Sequence, residues 1–144
     1  MRIPTWLLYA SFTAFFLAAA DSFVKCASGR LSNSLGLLIY GSCTFATGLG
    51  WVMVQYLRGV PLTAQPAGIF YALGVGISFA MVTVGLYLTF GAGAPLSVAS
   101  PFIRLGGLVI AGMVGFLVLG EPFSFRYVGG ILLIFLGLYL IVVR

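Results

Sequence analysis

Three charged residues lie inside otherwise apolar stretches and are the first candidates for chemistry. Asp21 and Lys25 belong to one apolar run, and Arg104 belongs to another. Charges at membrane depth are costly, usually face the bundle interior, and often mark substrate or proton pathways. One carboxylate with two cations would suit a polar solute that carries an anionic group, and Asp21 would be the protonation switch, because burial disfavours a charged carboxylate. A purely structural pair of Asp21 with Lys25 or Arg104 is the alternative.

Helical periodicity places further residues beside these charges. Residues three, four or seven apart share one face of a helix, so Leu17, Asp21 and Lys25 lie on one stripe. Ser100 and Arg104 share a stripe in the other run in the same way. By helix rise, Asp21 lies about 7 Å and Arg104 about 13 Å from the same membrane surface. We therefore predict a substrate or proton site formed by Asp21, Lys25, Ser100 and Arg104.

The composition requires that lipid surround the elements that carry this site. Hydrophobic residues make up 62% of the 144 residues, and charged residues make up 6%. A soluble domain has roughly a quarter charged residues, so this chain cannot cover a water-facing surface. The cations are isolated rather than clustered, which indicates anchoring at membrane surfaces and predicts no nucleic-acid partner.

Five apolar stretches are long enough to cross the bilayer, since a helical span takes roughly 20 residues. Short polar or Gly/Pro-rich links separate them. The predicted spans are 5–26, 34–56, 67–90, 95–119 and 125–143. The sequence thus predicts an all-α membrane protein with a single domain over residues 1–144, a bundle of five transmembrane helices. A signal peptide is the alternative for the first span, because Ala18-Ala19-Ala20 resembles a cleavage site, but we expect the segment to be retained.

The cations other than Arg104 are distributed evenly between the two sides that five spans would define, or three against two if Lys25 is also counted as membrane-embedded. Orientation follows the bias in Lys and Arg, and here the bias is close to zero. One side carries Arg2, Arg58 and Arg126, and the other carries Lys25, Arg30 and Arg144. Insertion in both orientations, with copies pairing antiparallel, is one interpretation. The other is that so few charges make a noisy count.

Small residues recur at helical spacing in the last two spans. Such residues let membrane helices approach closely. We predict helix contacts, within the subunit or between subunits, at Gly107, Ala111, Gly115, Gly130 and Gly137.

Several kinds of chemistry lack the residues they need. The chain has no His, no paired-cysteine motif and no carboxylate cluster, so we expect no metal site, no other cofactor and no catalytic residue. No phosphate-binding Walker loop is present either. Enzyme is therefore the weakest class. Glu121, just before Pro122, is expected to mark a helix end and to pair with Arg126 or, as the alternative, to serve the substrate.

The second half of the chain resembles the EamA-like families of the drug/metabolite transporter superfamily. The similarity rests on GAGAPLSVASPFIR at 91–104, LGEPFS at 119–124 and GGILLIFLG at 129–137. Larger members carry two five-helix repeats of opposite orientation. The resemblance therefore implies one repeat of an inverted-repeat transporter, which would work as a homodimer or with a related membrane subunit.

The resemblance also implies a function and a location. It implies a secondary transporter that exports or exchanges a small polar metabolite, in the bacterial inner membrane. Two alternatives stay open at this point. The chain would be a non-transporting subunit packed in a larger membrane complex, or a partner in a lipid-linked sugar flippase.

The balanced cations generate a first prediction. Reporters active on only one side of the membrane, fused to the C-terminus, should give signal from both sides, because the Lys/Arg bias is close to zero. A membrane protein of fixed orientation with the same reporters serves as the control. Signal from one side alone would contradict insertion in both orientations.

Overall fold

The computed structural model describes residues 4–122 and 124–143, and these residues form an all-α protein. No β-strand occurs among them, and the helices are α1 (Thr5–Ala27), α2 (Asn33–Leu57), α3 (Pro66–Gly91), α4 (Leu96–Leu117) and α5 (Phe125–Val142). Each helix lies within two residues of a predicted span at both ends. The prediction of an all-α protein with five long helices is confirmed.

The helix boundaries follow from proline, glycine and capping residues. Pro66 begins α3, a position where its missing N–H has no helical partner in any case. Gly93 lies between α3 and α4 with a φ of 91°, and Gly120 follows α4 with a φ of 67°, values that favour glycine. Ser124 caps α5 by accepting the backbone N–H of Arg126. These residues explain where the helices begin and end.

All five helices are long and apolar enough to cross a membrane. Large apolar side chains on them are mostly exposed, up to 88% for Phe125. Water would not tolerate so much exposed apolar surface, whereas lipid favours it. The chain is therefore an integral membrane protein whose helices suit contact with the bilayer.

The chain divides into two compact units. One contains the described residues up to Asp21 together with those from Gly93 onward, and the other is Ser22–Ala92. In the first unit α4 packs against α5, and in the second α2 packs against α3. Helix α1 contributes residues to both units. The single domain inferred from chain length stays a prediction.

The buried residues of the second unit lie mainly on one face of α3. They recur three and four residues apart, as Thr83, Leu86, Tyr87 and Phe90. Gly36 of α2 lies directly against the ring of Tyr87: a Cβ atom at position 36 would lie 2.6 Å from the Tyr87 hydroxyl oxygen. The close approach of α2 and α3 therefore depends on a glycine at this position.

We predict that Gly36→Ala destabilises the protein by about 1–3 kcal/mol, because the added methyl group overpacks against the buried Tyr87 ring. Unfolding of the purified protein in mixed micelles measures the loss. Gly41→Ala on the same helix is the matched control, since no described atom of its unit lies within 4 Å of that Cβ position. When Tyr87→Leu is combined with Gly36→Ala, part of the lost stability should return, because the smaller side chain relieves part of the clash. Equal stability of the two alanine variants would contradict the proposed close approach.

Candidate functional site

The carboxylate of Asp21 is the centre of a polar cluster in the first unit. Its side chain is only 2% exposed. Oδ1 of Asp21 accepts a hydrogen bond of 2.6 Å from Nη2 of Arg104. Oδ2 accepts one of 2.5 Å from the hydroxyl of Ser100 and a longer one of 3.3 Å from Nε of Arg104. Both carboxylate oxygens of this buried group are therefore satisfied.

The guanidinium group of Arg104 binds both the side chain and the backbone of α1. Besides its two contacts with Asp21, it donates from Nη2 to the carbonyl oxygen of Leu17 at 3.4 Å. Leu17 and Asp21 are one helical turn apart, so a single planar group reaches both acceptors. Sequence reasoning placed Leu17 on the same face as Asp21 but did not predict that its backbone carbonyl accepts a hydrogen bond.

The local sequence of α4 brings Ser100 and Arg104 to the same face. They are four residues apart, which is one turn. Pro101 lies between them inside the helix. Because proline has no N–H, the carbonyl of Ser97 receives no helical hydrogen bond from position 101. The backbone is thus weakened within the turn that carries the cluster.

The exposure of the two charged groups differs, and the difference determines what the site can do. Asp21 is enclosed, whereas the side chain of Arg104 is 34% exposed. In a membrane-spanning helix each charge would be costly alone, by roughly 2.5–3.5 kcal/mol on insertion scales. Together they form a closed, neutral pair. Arg104 is therefore the accessible member of the pair, and Asp21 becomes accessible only if the pair opens.

Of the predicted site residues, the structure brings Asp21, Ser100 and Arg104 together. Lys25 belongs to the second unit, where its ammonium nitrogen lies 5.6 Å from the centre of the Phe90 ring. This distance is within the range of a cation–π contact. The substrate or proton role of all these residues stays a prediction.

The predicted small-residue contacts have different surroundings in the structure. Gly115 is buried, and a Cβ atom there would lie 2.7 Å from Oε2 of Glu121. No described atom of the first unit lies within 4 Å of the Cβ position of Gly107, Gly130 or Gly137. Ala111 is exposed. Contacts at these positions between subunits stay a prediction, and Gly112, which sequence reasoning did not single out, packs closely against Tyr127.

Glu121 lies beside the end of α4. Its backbone N–H donates to the carbonyl of Gly115 at 3.0 Å, which folds the residue back onto the helix. Within residues 4–122 and 124–143, Glu121 and Arg126 form no ion pair, so the expected pairing is not present. The helix-end prediction agrees with the position of Glu121 four residues after Leu117.

Arg2 and Arg144 lie outside the described residues, so the structure bears on only part of the count of cations. In the part of the chain that the structure describes, no three His, Cys, Asp or Glu side chains lie together.

A groove of about 640 Å³ lies between α2 and α3 in the second unit. Its lining includes Tyr40, Thr44 and Phe79 and contains no charged residue. The hydroxyl of Thr44 is already bonded to the carbonyl of Tyr40. The groove therefore suits an apolar chain or a helix surface better than a polar solute.

Helices and polar cluster together define an integral membrane protein with a buried ion pair inside its spans. No family model matches the chain, and no curated protein or solved structure matches it either. The evidence for function therefore comes from the residues of the chain itself.

The buried pair generates a stability prediction. Asp21→Asn should lower the free energy of unfolding by about 2 kcal/mol, because Arg104 then carries an uncompensated charge within the membrane. Chemical unfolding in mixed micelles measures the change. Arg58→Gln, which removes an exposed charge, should change stability by no more than about 0.5 kcal/mol.

The double variant Asp21→Asn/Arg104→Gln separates the pair from each side chain alone. It should recover roughly 1 kcal/mol relative to the sum of the single variants, since it leaves no unpaired charge. Strictly additive losses would show that Asp21 and Arg104 do not stabilise one another.

Proposed function

We propose that the protein is a secondary transporter of a small polar metabolite and is not an enzyme. The observation that carries this proposal is the enclosed cluster of Asp21, Ser100 and Arg104 within membrane-spanning helices. Ionisable residues at such depth are expensive and usually serve transport or proton relay. The resemblance to EamA-like transporters agrees with this function and favours the bacterial inner membrane as the location.

The geometry of the pair suggests how a solute would be handled. Arg104 is the partly exposed member, so an anionic or carbonyl group of the solute would bind there first. Binding of the solute would compete with Asp21 for the guanidinium group of Arg104. When the solute leaves, the two charges pair again, because neither is stable alone in lipid.

A partner completes the proposed transporter. The chain has the size of one five-helix repeat, and inverted-repeat transporters bind substrate where two repeats meet. The near balance of cations in the sequence favours an antiparallel homodimer, and a related membrane subunit is the other way to complete the plan.

A non-transporting membrane subunit is the second candidate. It is favoured by one observation: both oxygens of Asp21 are already satisfied by residues of the same chain. A closed pair of this kind can serve helix packing alone. Purification in mild detergent distinguishes the two, since a stable homodimer supports the transporter and a stoichiometric larger partner supports the subunit.

The transport proposal predicts a metabolite phenotype. Cells that produce the protein should differ from cells without it in the level of at least one small polar metabolite, inside or in the medium. Asp21→Asn and Arg104→Gln should each reduce that difference roughly tenfold or more, because each removes one of the two paired groups and leaves the other charge alone in the membrane. Untargeted mass spectrometry measures it.

The matched control is Arg58→Lys, which changes a residue in the connection between α2 and α3, keeps the balance of cations and should keep the phenotype. Membrane levels of each variant are compared by immunoblot. An unchanged phenotype in properly inserted Asp21→Asn and Arg104→Gln would overturn the proposed role of the cluster.

A further inference from the structure

A small pocket that contains one carboxylate lies at the other end of α4 from the Asp21–Arg104 pair. Its volume is about 260 Å³, and its lining residues are Gly112, Phe116, Glu121, Pro122, Ser124 and Tyr127. All of them belong to the first unit. Gly115, beside Glu121, is eleven residues from Arg104, or about 16 Å along the helix axis. The pocket is therefore separate from the proposed transport site.

Among the described residues that line this pocket, Glu121 alone carries a charge. Its carboxylate forms no hydrogen bond or ion pair with any residue in 4–122 or 124–143. The backbone of Glu121 is held beside α4, because its N–H is bonded to the Gly115 carbonyl. A Cβ atom on Gly115 would collide with the carboxylate. Helix α4 thus leaves room for the carboxylate of Glu121, and no described residue neutralises its charge.

Two aromatic rings form the wall beside this carboxylate. The rings of Phe116 and Tyr127 are 4.9 Å apart between centres and meet edge to face at 86°. Gly112 makes room for Tyr127, because a Cβ atom at position 112 would lie 2.8 Å from Cζ of the tyrosine ring. Aromatic faces attract cations within about 6 Å of the ring centre.

The helix itself adds to the negative potential of the pocket. The last carbonyl groups of α4 give its C-terminus a partial negative charge. This end of the helix, a free carboxylate and two aromatic rings all favour a cation. The volume is smaller than the roughly 300–1,000 Å³ typical of drug-sized ligands, so it suits a small head group.

We propose that this pocket binds an alkylammonium group, with Glu121 as its counter-ion and Phe116 and Tyr127 as its aromatic wall. A small metal ion would gain little from the rings, whereas an alkylammonium group uses both the charge and the apolar surface. The pocket lies where the chain turns between two spans. An ammonium group there can come from a lipid head group or from a soluble amine.

The single glutamate of the chain makes a direct test possible. Protein labelled with 13C at the glutamate carboxyl carbon gives one resonance, from Glu121. Ethylammonium chloride, added to the protein in nanodiscs of phosphatidylglycerol, should shift this resonance to saturation. Sodium chloride at equal ionic strength is the control. A shift that is equal for both salts, or that does not saturate, would overturn the proposal.

The variants test the aromatic wall. Tyr127→Leu should weaken ethylammonium binding roughly threefold to fivefold, because it removes one cation–π contact. Tyr127→Phe, which keeps the ring, should bind as the parent protein does. Tyr139→Leu on the same helix is the matched control, since Tyr139 is 61% exposed and outside the pocket. Equal affinities of the two leucine variants would contradict the aromatic wall, and circular dichroism verifies that each variant is folded.

Nanodisc composition identifies the source of the ammonium group. If phosphatidylethanolamine alone produces the shifted resonance and ethylammonium adds nothing, the lipid head group occupies the pocket. If the shift requires added ethylammonium in either lipid, the occupant is a soluble amine. Both results support the site. Failure of ethylammonium in phosphatidylglycerol and of phosphatidylethanolamine to shift the resonance would overturn it, without bearing on transport at Asp21.

Discussion

The buried carboxylate of Asp21 sets the main physical constraint on this protein. Lipid offers no hydrogen bonds and no counter-ions, so a charge in a membrane-spanning helix must find its partners within protein. Here Arg104 and Ser100 provide them from α4. The pairing fixes which face of α4 meets α1, because only the stripe that carries these two residues can satisfy Asp21. Packing of small and apolar residues alone would allow several rotations of the helix.

The same constraint explains how far the sequence determines the structure. Helix positions follow from apolar length and from Gly/Pro-rich links, and they agree with the structure within two residues. The depth in the membrane that is expected for Asp21 and Arg104 follows from helix rise. The bond between Asp21 and Arg104 does not, since Lys25, one turn further along the same helix, was an equal candidate in the sequence. Tertiary packing of α4 brings Arg104 close to Asp21, and a single sequence does not encode that packing as a local pattern.

Glu121 shows a second limit of sequence reasoning. Its distance along the chain from Arg126 allowed an ion pair, and its position before Pro122 correctly indicated a helix end. The hydrogen bond from the backbone N–H of Glu121 to the carbonyl of Gly115 turns the residue toward α4. The ion pair with Arg126 that the sequence suggested is not present among the described residues. The glycines at 112 and 115 were visible in the sequence as small residues. That these two glycines make room for Tyr127 and Glu121 is evident only from the interatomic distances in the structure.

Pro101 interrupts the backbone hydrogen bonds of α4 within the polar cluster. Since no backbone hydrogen bond links positions 97 and 101, residues 96–100 can tilt without breaking one there. Ser100 lies on the N-terminal side of Pro101, and Arg104 lies on the other side. A tilt of residues 96–100 would draw the Ser100 hydroxyl group away from Asp21 while Arg104 stays in place. The helix thus contains a hinge that could loosen one ligand of the carboxylate at a time.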